Sequence, residues 1–348
     1  MKEALLYEKM PGNRVRCLLC AHRCVIADGK RGVCHVRENR GGVLYTLVYG
    51  KTISQHVDPV EKKPLYHFYP GSLAYSIATP GCNFRCQWCQ NWDISQMPRE
   101  RDLIEGRSST PEQIVANALE TGCLSLAYTY TEPTVFFEYA HDTARLAHQA
   151  GLANIYVTNG YMSKQMLEVS RPYLDAANVD LKAFRKETYH HYVGAGLQPI
   201  LDNLKFIKQQ GIWLEVTTLV IPDLNDSAAE LRDAARFIAQ ELGLDTPWHI
   251  SRFYPNYKMT DRPPTPIDTL QRAYEIGREE GLLHVYLGNV AGEVITACPQ
   301  CGHLLIRRAG FRVIENHLRH GSCPFCSTRI AGVWERHSLS EGYDAHLA

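Results

Sequence analysis

From residue 72 to residue 290 the chain alternates short apolar runs with amphipathic stretches, and this alternation restricts the fold more than any other feature. Seven runs read as strands: Leu73–Ala78, Leu124–Tyr130, Asn154–Val157, Val179–Ala183, Trp213–Ile221, Trp248–Phe253 and His284–Leu287. They are rich in aliphatic and aromatic residues and short enough to be parallel strands buried on both faces. The stretches between them carry helix signals. Thr110-Pro111-Glu112 opens one helix with an N-cap and a first-turn proline. Pro133–Gln149 reads as a second, Ser227–Leu242 as a third, and Pro266–Glu280, stopped by Gly281, as a fourth. Such alternation implies right-handed crossovers and a parallel sheet. Six to seven units fall short of the eight of a closed barrel. A flat doubly wound sheet is the alternative, disfavoured because no Gly-x-Gly-x-x-Gly follows the first strand. The expected fold class is α/β, a partial (β/α)6-type barrel over residues 71–292, with a small cysteine-rich N-terminal module and extension over 1–70 and a small cysteine-rich C-terminal module and tail over 293–348.

Twelve cysteines is a high count, and eleven fall into three groups: 17/20/24/34, 82/86/89 and 298/301/323/326. No apolar leader or bilayer-length run is visible, so the expectation is a cytoplasmic protein with no membrane contact. Short Cys-x2-Cys spacings then argue for metal rather than disulfides. The net charge is zero, but residues 1–50 hold nine Lys/Arg against four Asp/Glu, and residues 298–337 hold six Arg against two Glu. Basic ends on an acidic body suit a protein or nucleic-acid partner, although ordinary solvated surface is the simpler reading.

The middle group lies in Thr79-Pro80-Gly81-Cys82-Asn83-Phe84-Arg85-Cys86-Gln87-Trp88-Cys89, directly after the first strand. Three thiolates on one loop hold three irons of a cubane and leave the fourth iron open, whereas a fourth cysteine would close the site to electron transfer alone. The competing readings are a zinc site completed by His, or a ferredoxin-like cluster with a distant fourth ligand. The loop leaves the C-terminal end of a strand, where barrels of this kind carry their active sites.

This Cys-x3-Cys-x2-Cys loop resembles the signature of the radical S-adenosylmethionine (SAM) superfamily. The wider context is similar to the pyruvate formate-lyase activating enzyme group. Asp58-Pro59-Val60-Glu61-Lys62-Lys63-Pro64, Cys86-Gln87-Trp88-Cys89-Gln90-Asn91-Trp92, Tyr128-Thr129-Tyr130-Thr131-Glu132-Pro133 and Asp180-Leu181-Lys182-Ala183-Phe184 resemble the radical SAM member of the AmmeMemoRadiSam system. The resemblance implies a radical SAM barrel. A 4Fe–4S cluster on Cys82, Cys86 and Cys89 would there be chelated by the amino and carboxylate groups of SAM. Reductive cleavage would give a 5′-deoxyadenosyl radical that takes hydrogen from a substrate. It also implies a reductant such as flavodoxin or ferredoxin.

By the same resemblance, Glu132 meets the SAM amino group, although the family's Gly-Gly-Glu-Pro reads Tyr130-Thr131-Glu132-Pro133 here. Glu132 beside Pro133 also suits a helix N-terminus. Asp180 and Lys182, two apart on the expected fourth strand, share a face. The resemblance sets Lys182 against the SAM carboxylate, and a purely internal ion pair is the alternative. Asn159 near the ribose, His249 near SAM and Trp88 near the adenine complete the set. A turn, a satisfied barrel histidine and core packing are their plain readings. Tyr128, Tyr130 and Cys123 read as packing residues without a role. No catalytic residue beyond the cluster ligands is identified.

Cys298-Pro-Gln-Cys301 and Cys323-Pro-Phe-Cys326 are paired knuckles that suit a closed tetrahedral zinc, with a rubredoxin-like iron or an auxiliary 4Fe–4S cluster next. Cys17, Cys20, Cys24 and Cys34 are less regular, with His22 and His35 adjacent. Zinc is expected there ahead of a second cluster. Glycyl-radical activases carry their extra clusters in an insert after the radical motif. The twenty residues from Cys89 to Thr110 leave little room for one. The expected activity is therefore a radical SAM reaction on a protein or peptide. RNA modification and glycyl-radical activation are the alternatives, and a non-catalytic metal-stabilised adaptor is least favoured.

Overall fold

The computed structural model describes residues 1–335. Its centre is an eight-stranded sheet: β1 (Ser54–Pro59), β2 (Leu73–Ala78), β3 (Ser125–Tyr128), β4 (Ala153–Thr158), β5 (Ala176–Asp180), β6 (Trp213–Val220), β7 (Trp248–Arg252) and β8 (Val285–Gly288), paired in that order. β2 to β8 run parallel, and β1 is antiparallel to β2. Seven parallel strands need six crossovers, which are the expected six β/α units. The strands are almost wholly buried, as their continuous apolar character requires. The sheet curls: Val157, Asn178, Thr217, His249 and Leu287, from five successive strands, line one cavity.

The crossover helices are α1 (Pro111–Glu120), α2 (Phe137–Gln149), α3 (Lys164–Ser170), α4 (Gln198–Gln209), α5 (Ala228–Phe237) and α6 (Ile267–Glu279). α1 starts as its sequence dictates. The Thr110 hydroxyl accepts from Gln113 N, and the Gln113 side chain accepts from Thr110 N, a capping box with Pro111 in the first turn. Residues 133–136 form a 3₁₀ turn before α2, and 238–242 continue α5 as a π turn.

Three expectations need correction. The fourth strand is 176–180, not 179–183, so Lys182 lies on the loop after the strand rather than on the same strand face as Asp180. Residue 124 lies outside β3 and the strand stops at Tyr128, because Tyr130 takes a left-handed φ of 63° that turns the chain before Glu132. Ser54–Pro59, read as part of an N-terminal extension, is a strand of the central sheet.

The first fifty residues form two small three-stranded sheets packed on the barrel. Arg37 donates to both Glu138 oxygens on α2, at 2.8 and 2.7 Å, with both side chains buried. Gly81, at φ 103°, lets the chain pass Val36: a Cβ there would sit 2.7 Å from Val36 Cγ1. At the other end a three-stranded ribbon, β9 (Glu293–Ala297), β10 (Leu304–Ala309) and β11 (Arg312–Asn316), returns to the barrel. Its Arg308 is buried, donates to Tyr66 O at 2.7 Å, and lies 3.7 Å from the Glu61 carboxylate. Among the described residues no helix is long and apolar enough to cross a membrane. Residues 336–348 of the expected C-terminal segment lie outside the described residues.

Candidate active site

A cavity of about 580 Å³ opens at the C-terminal ends of the parallel strands. That is an ordinary size for a small-molecule site. Cys82, Cys86, Cys89, Trp88, Glu132, Asn159, Asp180, Lys182 and His249 all line it, so every residue singled out around the middle cysteine group meets at one place.

The thiol loop is held from behind. Arg85 N donates to Val193 O at 3.0 Å and Gln87 N to Tyr192 O at 3.1 Å, both in a π turn over 189–193. Gly194 closes that turn at φ 78°, and a Cβ there would strike Arg85 at 2.4 Å. Phe84 N donates to Cys82 Sγ at 3.3 Å, and Ser95 Oγ lies 3.3 Å from Cys89 Sγ. Burial, and then the Glu132 charge, hold the Cys82 thiol well above its ordinary pKa. Burial pushes Cys86 up to about 12, opposed by the Lys182 ammonium. Iron would reverse this order, because a ligated thiol is deprotonated outright.

Glu132 caps the 3₁₀ turn. Its Oε1 accepts from Thr134 N (3.1 Å), Thr134 Oγ1 (2.5 Å) and Thr158 Oγ1 (2.7 Å), and its Oε2 accepts from Asn159 N (2.8 Å). Burial raises its pKa and these donors lower it. The helix-terminus reading and the place at the cavity wall are therefore both realised. Asn159 Nδ2 donates to Asn83 Oδ1 at 2.8 Å, which ties the end of β4 to the residue after Cys82.

Lys182 Nζ donates to Asp180 Oδ2 at 2.7 Å. Burial opposes the Lys182 charge, but Asp180 and then Cys86 raise its pKa above the ordinary value. His249 Nε2 donates to Glu215 Oε2 at 2.6 Å. Glu215, fully buried on β6, also accepts from Tyr66 N, His67 N and Trp213 Nε1 at 2.8–3.0 Å. Glu215 has no role assigned from the sequence. A lone carboxylate inside a buried apolar run was the available signal.

Also unassigned by that reading is a cluster below the mouth. Asp58 accepts from Lys62 at 2.8 Å, Lys63 at 2.6 Å and Tyr130 Oη. Burial lowers the Lys63 pKa to about 8, with Asp58 opposing. The Asp58–Lys63 stretch carried part of the family resemblance without a stated role. Asn91 Nδ2 donates to Tyr130 O at 2.7 Å and thereby links the thiol loop to this cluster. Gly292, Val294, Gly310 and Phe311 of the ribbon complete the rim.

The ribbon has a separate thiol group. Cys298 and Cys326 sulfurs lie 3.6 Å apart, Cys301 and Cys323 sulfurs 3.7 Å apart, and all four lie within 4.8 Å of one another. A tetrahedral ion with metal–sulfur bonds of about 2.3 Å requires sulfur edges of about 3.8 Å. The donor set and spacing fit one such ion. The Thr328 hydroxyl, with its backbone, holds the Cys326 thiol down to about 6.

A partial parallel barrel with three thiols on the loop after its first parallel strand, facing a cavity lined by both polar and apolar side chains, defines a class of iron–sulfur enzymes. Comparison with known proteins specifies it. The profile of the radical SAM superfamily matches residues 76–238. An uncharacterized protein of Methanocaldococcus jannaschii is 46% identical over 334 residues, covering 95% of this chain and 99% of that one. Pyruvate formate-lyase-activating enzyme of Clostridium pasteurianum is 23% identical over 164 residues, covering 45% of this chain and 66% of the other. Among solved structures, Streptococcus suis SuiB bound to its precursor peptide SuiA aligns with a TM-score of 0.50 at 14% identity, over 67% of this chain and 51% of that chain. This chain belongs to the radical SAM superfamily, and it is an enzyme.

Proposed function

We propose that the cavity binds a 4Fe–4S cluster on Cys82, Cys86 and Cys89 together with SAM, and that the enzyme acts on a protein or peptide in the cytoplasm with a flavodoxin- or ferredoxin-class reductant. The observation that carries this reading is the meeting of all nine residues at one cavity. When bound, the cluster supplies the electron that cleaves SAM to methionine and a 5′-deoxyadenosyl radical. The residues of the chain bind and orient. Lys182 presents a cation, steadied by Asp180, to a carboxylate. Glu132 presents a buried carboxylate, pinned by four donors, to an ammonium. Trp88, 3% exposed, offers an apolar wall to an adenine ring. The cavity side of β6 and β7 is polar at Thr217, His249 and Ser251. His249 is itself oriented by Glu215. The ribbon at the rim and the exposed Phe311 offer an apolar edge to a polypeptide. We assign zinc to Cys298, Cys301, Cys323 and Cys326, on the spacing above.

The test is anaerobic reconstitution with iron and sulfide, then dithionite and SAM, with 5′-deoxyadenosine as the readout and Cys86→Ala as the control. Product from the wild type alone supports the reading. Reduced, cluster-loaded wild type that binds SAM but yields no product counts against it.

A further inference from the structure

Cys17, Cys20, Cys24 and Cys34 line one small apolar pocket with Arg37 and Asn83, behind the loop that carries Cys82. Cys17 ends a strand and its N–H donates to Cys24 O at 2.9 Å, so the tight turns between them fold the thiols inward. The pocket differs from the ribbon's thiol site in spacing. Among the described residues, the ribbon's four thiols form the group of metal-donor atoms that closes to within 4.8 Å, and the Cys17 group does not. A single zinc ion needs the tight arrangement. A cubane is several atoms wide and holds its thiolates farther apart than one ion does.

Two buried donors point to what fills the pocket. Arg37 Nε and Asn83 Nδ2 have no hydrogen-bond partner among the described residues, and each residue is 1% exposed. A buried N–H without an acceptor is destabilising, so an acceptor is expected there. Sulfur of an anionic cluster is an acceptor for both, and N–H···S contacts are a recognised means of tuning such clusters. Nearby His22 commits its Nε2 to Asn83 O at 2.8 Å.

We propose that Cys17, Cys20, Cys24 and Cys34 hold an auxiliary iron–sulfur cluster of the 4Fe–4S class, with Arg37 Nε and Asn83 Nδ2 donating to its sulfurs. This replaces the zinc expected from the sequence. It stands independently of the chemistry proposed for the Cys82 loop. Asn83 joins the two places: its Nδ2 faces the auxiliary group and its Oδ1 accepts from Asn159 at the SAM cavity.

The test uses the full chain, reconstituted anaerobically. Iron, sulfide and zinc per chain are measured with the electron paramagnetic resonance of the dithionite-reduced protein. The samples are wild type, a Cys82→Ala/Cys86→Ala/Cys89→Ala variant and a Cys20→Ser/Cys34→Ser variant. Wild type should carry about eight iron and eight sulfide, and the triple variant about four of each with a cluster signal that SAM does not alter. The double variant should lose that complement and keep the SAM-responsive signal. Asn83→Leu should shift the auxiliary midpoint potential downward, and an unchanged potential removes Asn83 as a donor. A triple variant without iron, or wild type with about four iron and two zinc per chain, overturns the proposal even if the double variant fails to fold. If the Cys82 reading alone were wrong, the SAM-responsive signal would be missing while the triple variant kept its iron.

Discussion

His249 and Glu215, 34 residues apart in sequence, form a 2.6 Å hydrogen bond in the buried floor of the barrel. The same carboxylate receives the backbone of Tyr66 and His67, so it fastens β6 and β7 to the segment between β1 and β2. Removing it leaves several buried donors without an acceptor. Glu215→Ala should cost about 3–5 kcal/mol in urea unfolding, and Glu215→Gln clearly less. Equal losses for the two would show that shape, not hydrogen bonding, matters there.

Glu138→Ala strands the buried Arg37 guanidinium and frees Leu5 N. A loss of about 3–5 kcal/mol is expected by thermal or urea unfolding. Hydrogen exchange should rise first over residues 1–50. Exchange that stays at wild-type rates there would remove Arg37–Glu138 as the fastening of that segment.

Lys182→Met removes the cation that Asp180 holds beside Cys86. Iron content should stay at the wild-type level. SAM affinity, read from the change it causes in the cluster signal, should fall about ten- to a hundredfold, the worth of one charged hydrogen bond at about 1.5–3 kcal/mol. Unchanged affinity would place the SAM carboxylate elsewhere.

His67 is fully buried; its Nδ1 donates to Ala331 O at 2.8 Å, and its Nε2 is hydrogen-bonded to Tyr286 Oη at 2.7 Å. Burial lowers its pKa from 6.5 to about 4. The unfolded chain therefore binds the extra proton first as pH falls. Stability that is complete above pH 6.5 should decline toward pH 4, with His67 contributing on the order of 3 kcal/mol. His67→Gln should flatten that part of the stability profile. Parallel profiles for wild type and variant would assign the acid sensitivity to other groups.

If the ribbon's four thiols hold zinc as proposed, a thiol-reactive mercurial and a chelator should release about one zinc per chain. Exchange protection should then fall over residues 293–335. It should also fall at Tyr66 and Gly71, because Arg308 reaches Tyr66 O and the Glu61 carboxylate that accepts Gly71 N. Loss confined to the ribbon would show that Arg308 holds its place without the metal.

Features that live in short stretches were legible in the sequence. The Cys82–Cys86–Cys89 spacing, the capping box at Thr110 and the alternation of buried runs with amphipathic ones depend on neighbours a few residues apart. The spacing located the cavity's thiols, whereas Trp88, Glu132, Asn159, Asp180, Lys182 and His249 were placed around them by the family resemblance. Where a local signal was ambiguous, the reading slipped. Val179–Ala183 looked as apolar as a strand, yet the sheet uses 176–180, since register is set by the strands on either side.

The sequence by itself determined the kind of protein: a parallel α/β chain with three thiols on the loop after its first parallel strand and two further cysteine groups. Only the tertiary structure decided which thiols close tightly and which stand apart. It alone paired Glu215 with His249, and it alone sent Arg308 across 247 residues to Glu61. The reason is that a buried charge or donor must find its counterpart in three dimensions. The partner it finds comes from whichever distant segment the packed core brings within reach, and no local pattern records that choice.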